Sequence, residues 1–252
     1  MDKAAGETQG EGSARFGFIS LSGAAIVVLI SNIIYAIRYQ GETNACTNRF
    51  MMFRRKRAQK RGERIMLLFI NACVRENSRS RRLADHLLAR REGPIEEVRL
   101  HEIAFPVADE SFLERRDRLI EEGRFDDPMF DLARQFAKAD EVVIAAPLWD
   151  LSFPASLKQY FEQINVTGVT FRYSPEGVPE GLCRAKRLTY VTTAGGNWLP
   201  KEFGFGYVEA MARGFYGIGD VKMISAAGLD IDGADVEAIL KGAEDAMDQA
   251  ER

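Results

Sequence analysis

The last 190 residues of this 252-residue chain predict a three-layer α/β/α domain around a doubly wound, five-stranded parallel sheet. Three observations carry that expectation. Short, largely apolar runs recur, as strands buried on both faces of a parallel sheet require. Amphipathic helical patterns alternate with them about five times. The segments that follow the strands are rich in glycine and small polar residues, which suits the edge where such sheets bind ligands.

The first buried strand is residues 65–70 (IMLLFI), and residues 71–80 after it are polar and turn-forming. The next helix places Leu83, Leu87 and Leu88 inward, with Arg81, Arg82, Arg90 and Arg91 toward water, and Gly93-Pro94 stops it. Residues 97–100 read as a short second strand, and residues 110–138 as helix interrupted near 123–128. The second strong strand is 141–146 (EVVIAA), closed by Pro147; a helix carrying Leu157, Tyr160, Phe161 and Ile164 comes next. Residues 169–173 alternate like a short strand and 174–177 make a turn. Then come strand 187–192 (RLTYVT), a helix around 207–215 and a last strand at 221–226. A closing helix over 234–250 turns Val236, Ile239, Leu240 and Met247 inward.

Composition narrows the function classes. Residues 63–252 hold 24 Lys and Arg against 33 Asp and Glu, so they lack the basic stripe that nucleic acid requires. Three scattered cysteines, Cys46, Cys73 and Cys183, make neither a disulfide framework nor a metal pair, and a reducing compartment suits them. The two histidines, His86 and His101, leave little for a zinc site, and no metal is expected. A serine hydrolase lacks its G-x-S-x-G elbow.

Residues 1–62 stand apart as an N-terminal extension with ten Lys and Arg against four Asp and Glu. Residues 16–37 are uncharged and, as a helix, would span about 33 Å, enough for a bilayer. The basic linker over 54–61 would keep the rest of the chain cytoplasmic. A signal peptide fits poorly, because the apolar stretch is long. The alternative is an extension dispensable to the fold, with Met51, Met52 or Met66 as later starts.

Three post-strand loops carry the candidate chemistry. Asn71, Ser78, Arg79 and Ser80 lie where small polar side chains and a helix N-terminus would hold a phosphate. The bland alternative is a helix capped by Asn77 or Ser78. Pro147, Leu148, Trp149, Asp150 and Leu151 combine apolar surface with backbone amides, which a flat ring wants; otherwise Trp149 packs under a neighbouring loop. Thr193, Ala194, Gly195 and Gly196 allow close backbone approach, or simply a tight turn.

Residues 144–164 (IAAPLWDLSFPASLKQYFEQI), 169–177 (VTFRYSPEG), 179–182 (PEGL) and 189–196 (TYVTTAGG) resemble the FMN-dependent NADH-azoreductase and quinone-reductase family. The likeness extends loosely from Arg64 toward the C-terminus and omits residues 1–62. It implies a flavodoxin-like fold and a homodimer with FMN at the interface. The implied activity is ping-pong transfer of two electrons from NADH or NADPH to quinones, azo compounds or similar small acceptors. By position, Asn71, Ser78, Arg79 and Ser80 match the family's phosphate loop, residues 147–151 its flavin-edge loop and residues 193–196 its glycine loop. Tyr173 matches an aromatic lining the substrate pocket. There are departures. The family often has Met-Tyr-Asn-Phe where this chain has Leu148-Trp149-Asp150-Leu151, and an Arg where it has Ala194. The carboxylate of Asp150 would disfavour negative charge on a nearby flavin. Rival readings are a single-electron carrier of the same fold and a non-catalytic, membrane-tethered binding module.

Overall fold

The computed structural model describes residues 65–250; the expectations for residues 1–62 lie outside them. Five parallel strands form one sheet in the order β2-β1-β3-β6-β7. They are β1 (Leu67–Asn71), β2 (Ile95–Arg99), β3 (Glu141–Ala145), β6 (Arg187–Thr193) and β7 (Asp220–Ala226). β4 (Phe171–Tyr173) and β5 (Pro179–Gly181) make a separate antiparallel hairpin. The helices are α1 (Arg79–Leu88), α2 (Glu110–Glu121), α3 (Asp131–Lys138), α4 (Ala155–Ile164), α5 (Gly204–Gly214) and α6 (Val236–Ala250). The expected three-layer, doubly wound architecture is therefore present.

The sheet divides the core in two. β1 and β3 are buried at every position, so their side chains feed both faces alternately. On one face Leu67, Phe69, Val143 and Val191 pack with Leu83 and Leu87 of α1 and Leu240 and Met247 of α6. On the other, Leu68, Ile70, Val142, Ile144 and Leu188 meet an aromatic cluster of Phe136, Tyr160, Phe161 and Tyr216. The hydroxyl of Tyr216 donates to Asn165 Oδ1 at 2.7 Å, which satisfies a buried phenol.

Some boundaries differ from the sequence expectation. β2 begins at Ile95 rather than 97, because it is an edge strand starting directly after Pro94, and Leu100 already turns into a 3-10 helix. β5 contains Pro179 and Gly181, which no strand pattern favours. Gly181 is there because a Cβ would stand 2.2 Å from the backbone of Gly217. Arg91 was expected in water, yet its side chain is 8% exposed and its Nε lies 3.1 Å from Glu141 at the start of β3. Glu141 begins a fully enclosed strand and requires a cation there.

Candidate functional site

In a sheet of this order the chain switches direction between β1 and β3, and ligands bind outside the carboxyl ends of the strands there. Asn71, Ala145 and Val191 lie level across that edge, and β6 runs on to Thr193. Each ladder continues one step past its strand: Ala72 N–H donates to Ala145 O, Ala146 N–H to Val191 O and Ala194 N–H to Ala226 O, all at 2.9 Å. The bases of the three candidate loops are thus fixed by the sheet itself.

The loop after β1 is shaped from within. Asn71 is 3% exposed; its Oδ1 accepts from Cys73 N–H at 2.9 Å and its Nδ2 donates to Glu97 Oε1 at 2.9 Å. Burial pushes the Glu97 carboxyl up, but the bonds from Asn71 and Arg99 and the charge of Arg81 outweigh it and hold it below its ordinary value. Ser80, fully buried, shares a 2.8 Å hydrogen bond with Thr193 Oγ1 and ties α1 to β6. Ser78 is the N-cap, accepting from Arg81 N–H. Asn71 and Ser80 therefore spend their side chains inside the protein. Among the described residues, the N–H groups of Arg79 and Ser80 find no protein acceptor; Ser80 is buried, so the edge offers the Arg79 N–H, Ser78 and the Arg79 guanidinium.

The loop after β3 is strained. Trp149 and Ser152 exchange backbone hydrogen bonds at 3.0 and 2.8 Å. Between them Asp150 and Leu151 have φ of 49° and 66°, the two left-handed residues of a type I′ turn. Asp tolerates that region, but for Leu it costs on the order of 1–2 kcal/mol. Strain of this kind concentrates at ligand clamps. Trp149 is 42% exposed and does not pack beneath a neighbour. Pro147 and Leu148 are half-buried, and Leu148 N–H donates to Thr193 O at 3.0 Å, joining this loop to the next.

In the loop after β6, Thr193 and Ala194 are buried while Gly195 and Gly196 emerge. Residues 228–230 line it: Leu229 N–H donates to Ala194 O, Asp230 N–H to Gly195 O and Gly228 N–H to Gly196 O. Among the described residues, the N–H groups of Asp150, Leu151, Gly195 and Gly196 have no protein acceptor. Tyr173 is not brought to these loops within one chain. It stacks edge-on against Phe171, which packs on Phe215 past the C-terminal end of α5. The loops meet the other end of that helix, where Gly204 N–H reaches Leu151 O, and its 11 residues span about 16 Å.

Other chemistry is poorly provided for. Burial raises both described thiols, Cys73 and, to about 12, Cys183, so neither is a ready nucleophile. Among the described residues no group of His, Cys, Asp and Glu could hold a metal, and no helix is long and apolar enough to cross a membrane. Sequence reasoning missed Asp230, which bonds Arg79 at 2.6 Å and lies against Gly195.

This architecture is shared with solved proteins. The azoreductase of Bacillus anthracis strain Sterne superimposes with a TM-score of 0.63 at 25% identity, covering 73% of this chain and 97% of that one. An FMN-dependent NADH:quinone oxidoreductase of Lachnoclostridium phytofermentans is 48% identical over 111 residues, 43% of this chain and 55% of that protein. One of the same name from Coprothermobacter proteolyticus is 43% identical over 132 residues, 50% of this chain and 63% of that protein. The aligned stretches thus take in less than two thirds of these relatives. A family model described as the flavodoxin-like fold matches residues 66–250, and the chain belongs to that family.

Proposed function

We propose that the chain binds FMN at the carboxyl edge of its sheet and acts as an NAD(P)H-dependent oxidoreductase toward quinones, azo compounds or similar small acceptors. The observation that carries this reading is the convergence of three loops at the switch in strand order, presenting unpaired N–H groups beside exposed Trp149 and Leu151. The names of the relatives from Lachnoclostridium and Coprothermobacter support it.

The residues present fit FMN. Ser78, the Arg79 side chain and the free N–H of Arg79, at the positive end of α1, would hold the phosphate. Trp149, Leu148 and Leu151 would cover the face of the ring, and the N–H groups of Asp150, Leu151, Gly195 and Gly196 its polar edge. Bound FMN would supply the redox chemistry, two-electron transfer between a reduced nicotinamide and the acceptor. The protein's part is to orient the ring, shield one face from water and leave the other to alternate ligands. No side chain is needed as nucleophile or metal ligand.

A homodimer belongs to the same proposal. Tyr173 is 53% exposed and lies away from the loops of its own chain, so a second copy is what would bring it to a substrate pocket. Sedimentation should give twice the 28.2 kDa chain mass; a monomer that turns over acceptor would remove Tyr173 from the site. In this reading the domain of residues 63–252 works in the cytoplasm. Fractionating the full chain beside one lacking residues 1–62 separates a membrane tether from a dispensable extension.

The direct test is the visible spectrum of the purified full chain. A flavin spectrum, release of FMN on denaturation and anaerobic bleaching by NADH are expected. Colourless protein that takes up no added FMN would leave the fold and remove the function.

A further inference from the structure

α1 carries Arg79, Arg82 and His86 along one side, Arg90 follows just past its end, and each meets an acid on α6 or the segment leading into it. Arg79 pairs with Asp230 at 2.6 Å, Arg82 with Glu237 at 2.8 Å and Glu244 at 3.2 Å, and Asp248 with His86 at 2.9 Å and Arg90 at 2.6 Å. Three rungs run down the helix, away from the sheet edge. The first differs, because Arg79 is the first residue of α1, beside the unpaired N–H groups of that helix end.

Asp230 is held there by backbone. Its own N–H bonds Gly195 O at 2.9 Å, with Leu229 and Gly228 bonded to Ala194 and Gly196 on either side. One carboxylate oxygen bonds Arg79, and the other would stand 2.2 Å from a Cβ at Gly195. A negative charge is therefore fixed between the phosphate-side arginine and the glycine loop. The pair is also open to water, with side chains 36% and 70% exposed, which makes it exchangeable.

We infer that Asp230 competes with the phosphate of FMN for Arg79, and so sets how much more tightly the protein binds FMN than riboflavin. This rests on the proposal that the chain binds FMN. A phosphate monoester carries nearly two negative charges at neutral pH. To use Arg79 it must displace the carboxylate. Riboflavin has no phosphate and leaves the pair intact. Asp230 is thus a positioning residue acting through Arg79.

The test is titration of FMN and of riboflavin onto flavin-free full-length protein, monitored by quenching of flavin fluorescence. Asp230→Asn is expected to tighten FMN by about twofold to fivefold, the scale of one exposed charge pair, and to leave riboflavin unchanged. Arg79→Gln should weaken FMN alone, and in the double variant the gain from Asp230→Asn should vanish. An unchanged ratio of the two affinities, weaker FMN binding in Asp230→Asn, or the same gain without Arg79 would overturn the inference. If the wild-type chain binds neither flavin, the FMN reading itself falls and takes this with it, an outcome distinct from an unchanged ratio.

Discussion

Gly196→Val should cost about tenfold to a hundredfold in FMN affinity while leaving the thermal midpoint where it is. The reasoning starts from the surroundings of the residue. A Cβ built at Gly196 meets nothing within 4 Å, and its φ lies outside the left-handed region. A side chain there neither strains the backbone nor displaces a neighbour, so the apo-protein should change by no more than about 0.5 kcal/mol. The same open space adjoins the unpaired N–H groups of Gly195 and Gly196, and a ligand bonded to them has to come close to the backbone. Crowding a packed contact costs about 1–3 kcal/mol, which in binding is the loss stated. Titration of FMN beside a melting curve separates the two quantities. Undiminished affinity would mean that the glycine loop does not face the flavin.

Whether an element is legible in the sequence depends on where its signal originates. β1 and β3 announce themselves because a strand enclosed on both faces is almost wholly apolar, and IMLLFI and EVVIAA can be little else, while β6, RLTYVTT, is marked by its β-branched and aromatic residues. The amphipathic helices are legible for the same reason, through the periodicity of Leu83, Leu87 and Leu240. Once those elements are ordered, the loops after β1, β3 and β6 must share an edge. β5 had no such signal. Its strand geometry is imposed by pairing with Phe171–Tyr173 and by the contact of Gly181 with Gly217, neither of which leaves a local pattern.

The site was legible as loops and much less as atoms. Composition marks residues 71–80 as polar, but cannot say that Asn71 and Ser80 turn inward while Ser78 and Arg79 remain at the edge. The Asp150-Leu151 pair is no turn signal, since a type I′ turn ordinarily asks for Asn-Gly; only the φ angles disclose it. The ladder between α1 and α6 joins residues some 151 to 162 positions apart. Arginines on a helix face read as solvent-facing until the opposite helix is placed. That is why Asp230 went unnoticed.

The largest stability effect should come from Phe161→Ala. Phe161 is fully buried on α4, with ring centroids 5.5 Å from Tyr207, 6.2 Å from Phe153, 6.4 Å from Tyr160 and 6.5 Å from Tyr216. Truncation loses the transfer energy of the ring and leaves a cavity between several large aromatics that cannot all collapse inward, so about 3–5 kcal/mol should be lost. For a domain of this size that is a fall of roughly 6–20 °C in midpoint. FMN affinity measured well below the transition should change little, although Phe153 follows the loop after β3 and touches Phe161. That loop is held elsewhere as well, by Leu148 N–H on Thr193 O at 3.0 Å and by the reciprocal Trp149–Ser152 bonds. Calorimetry with a cold FMN titration checks both halves. A midpoint within about 3 °C of wild type would mean that the cluster refills the void. A large loss of affinity in the cold would mean that the ring of Phe161, rather than the sheet edge, positions the loop.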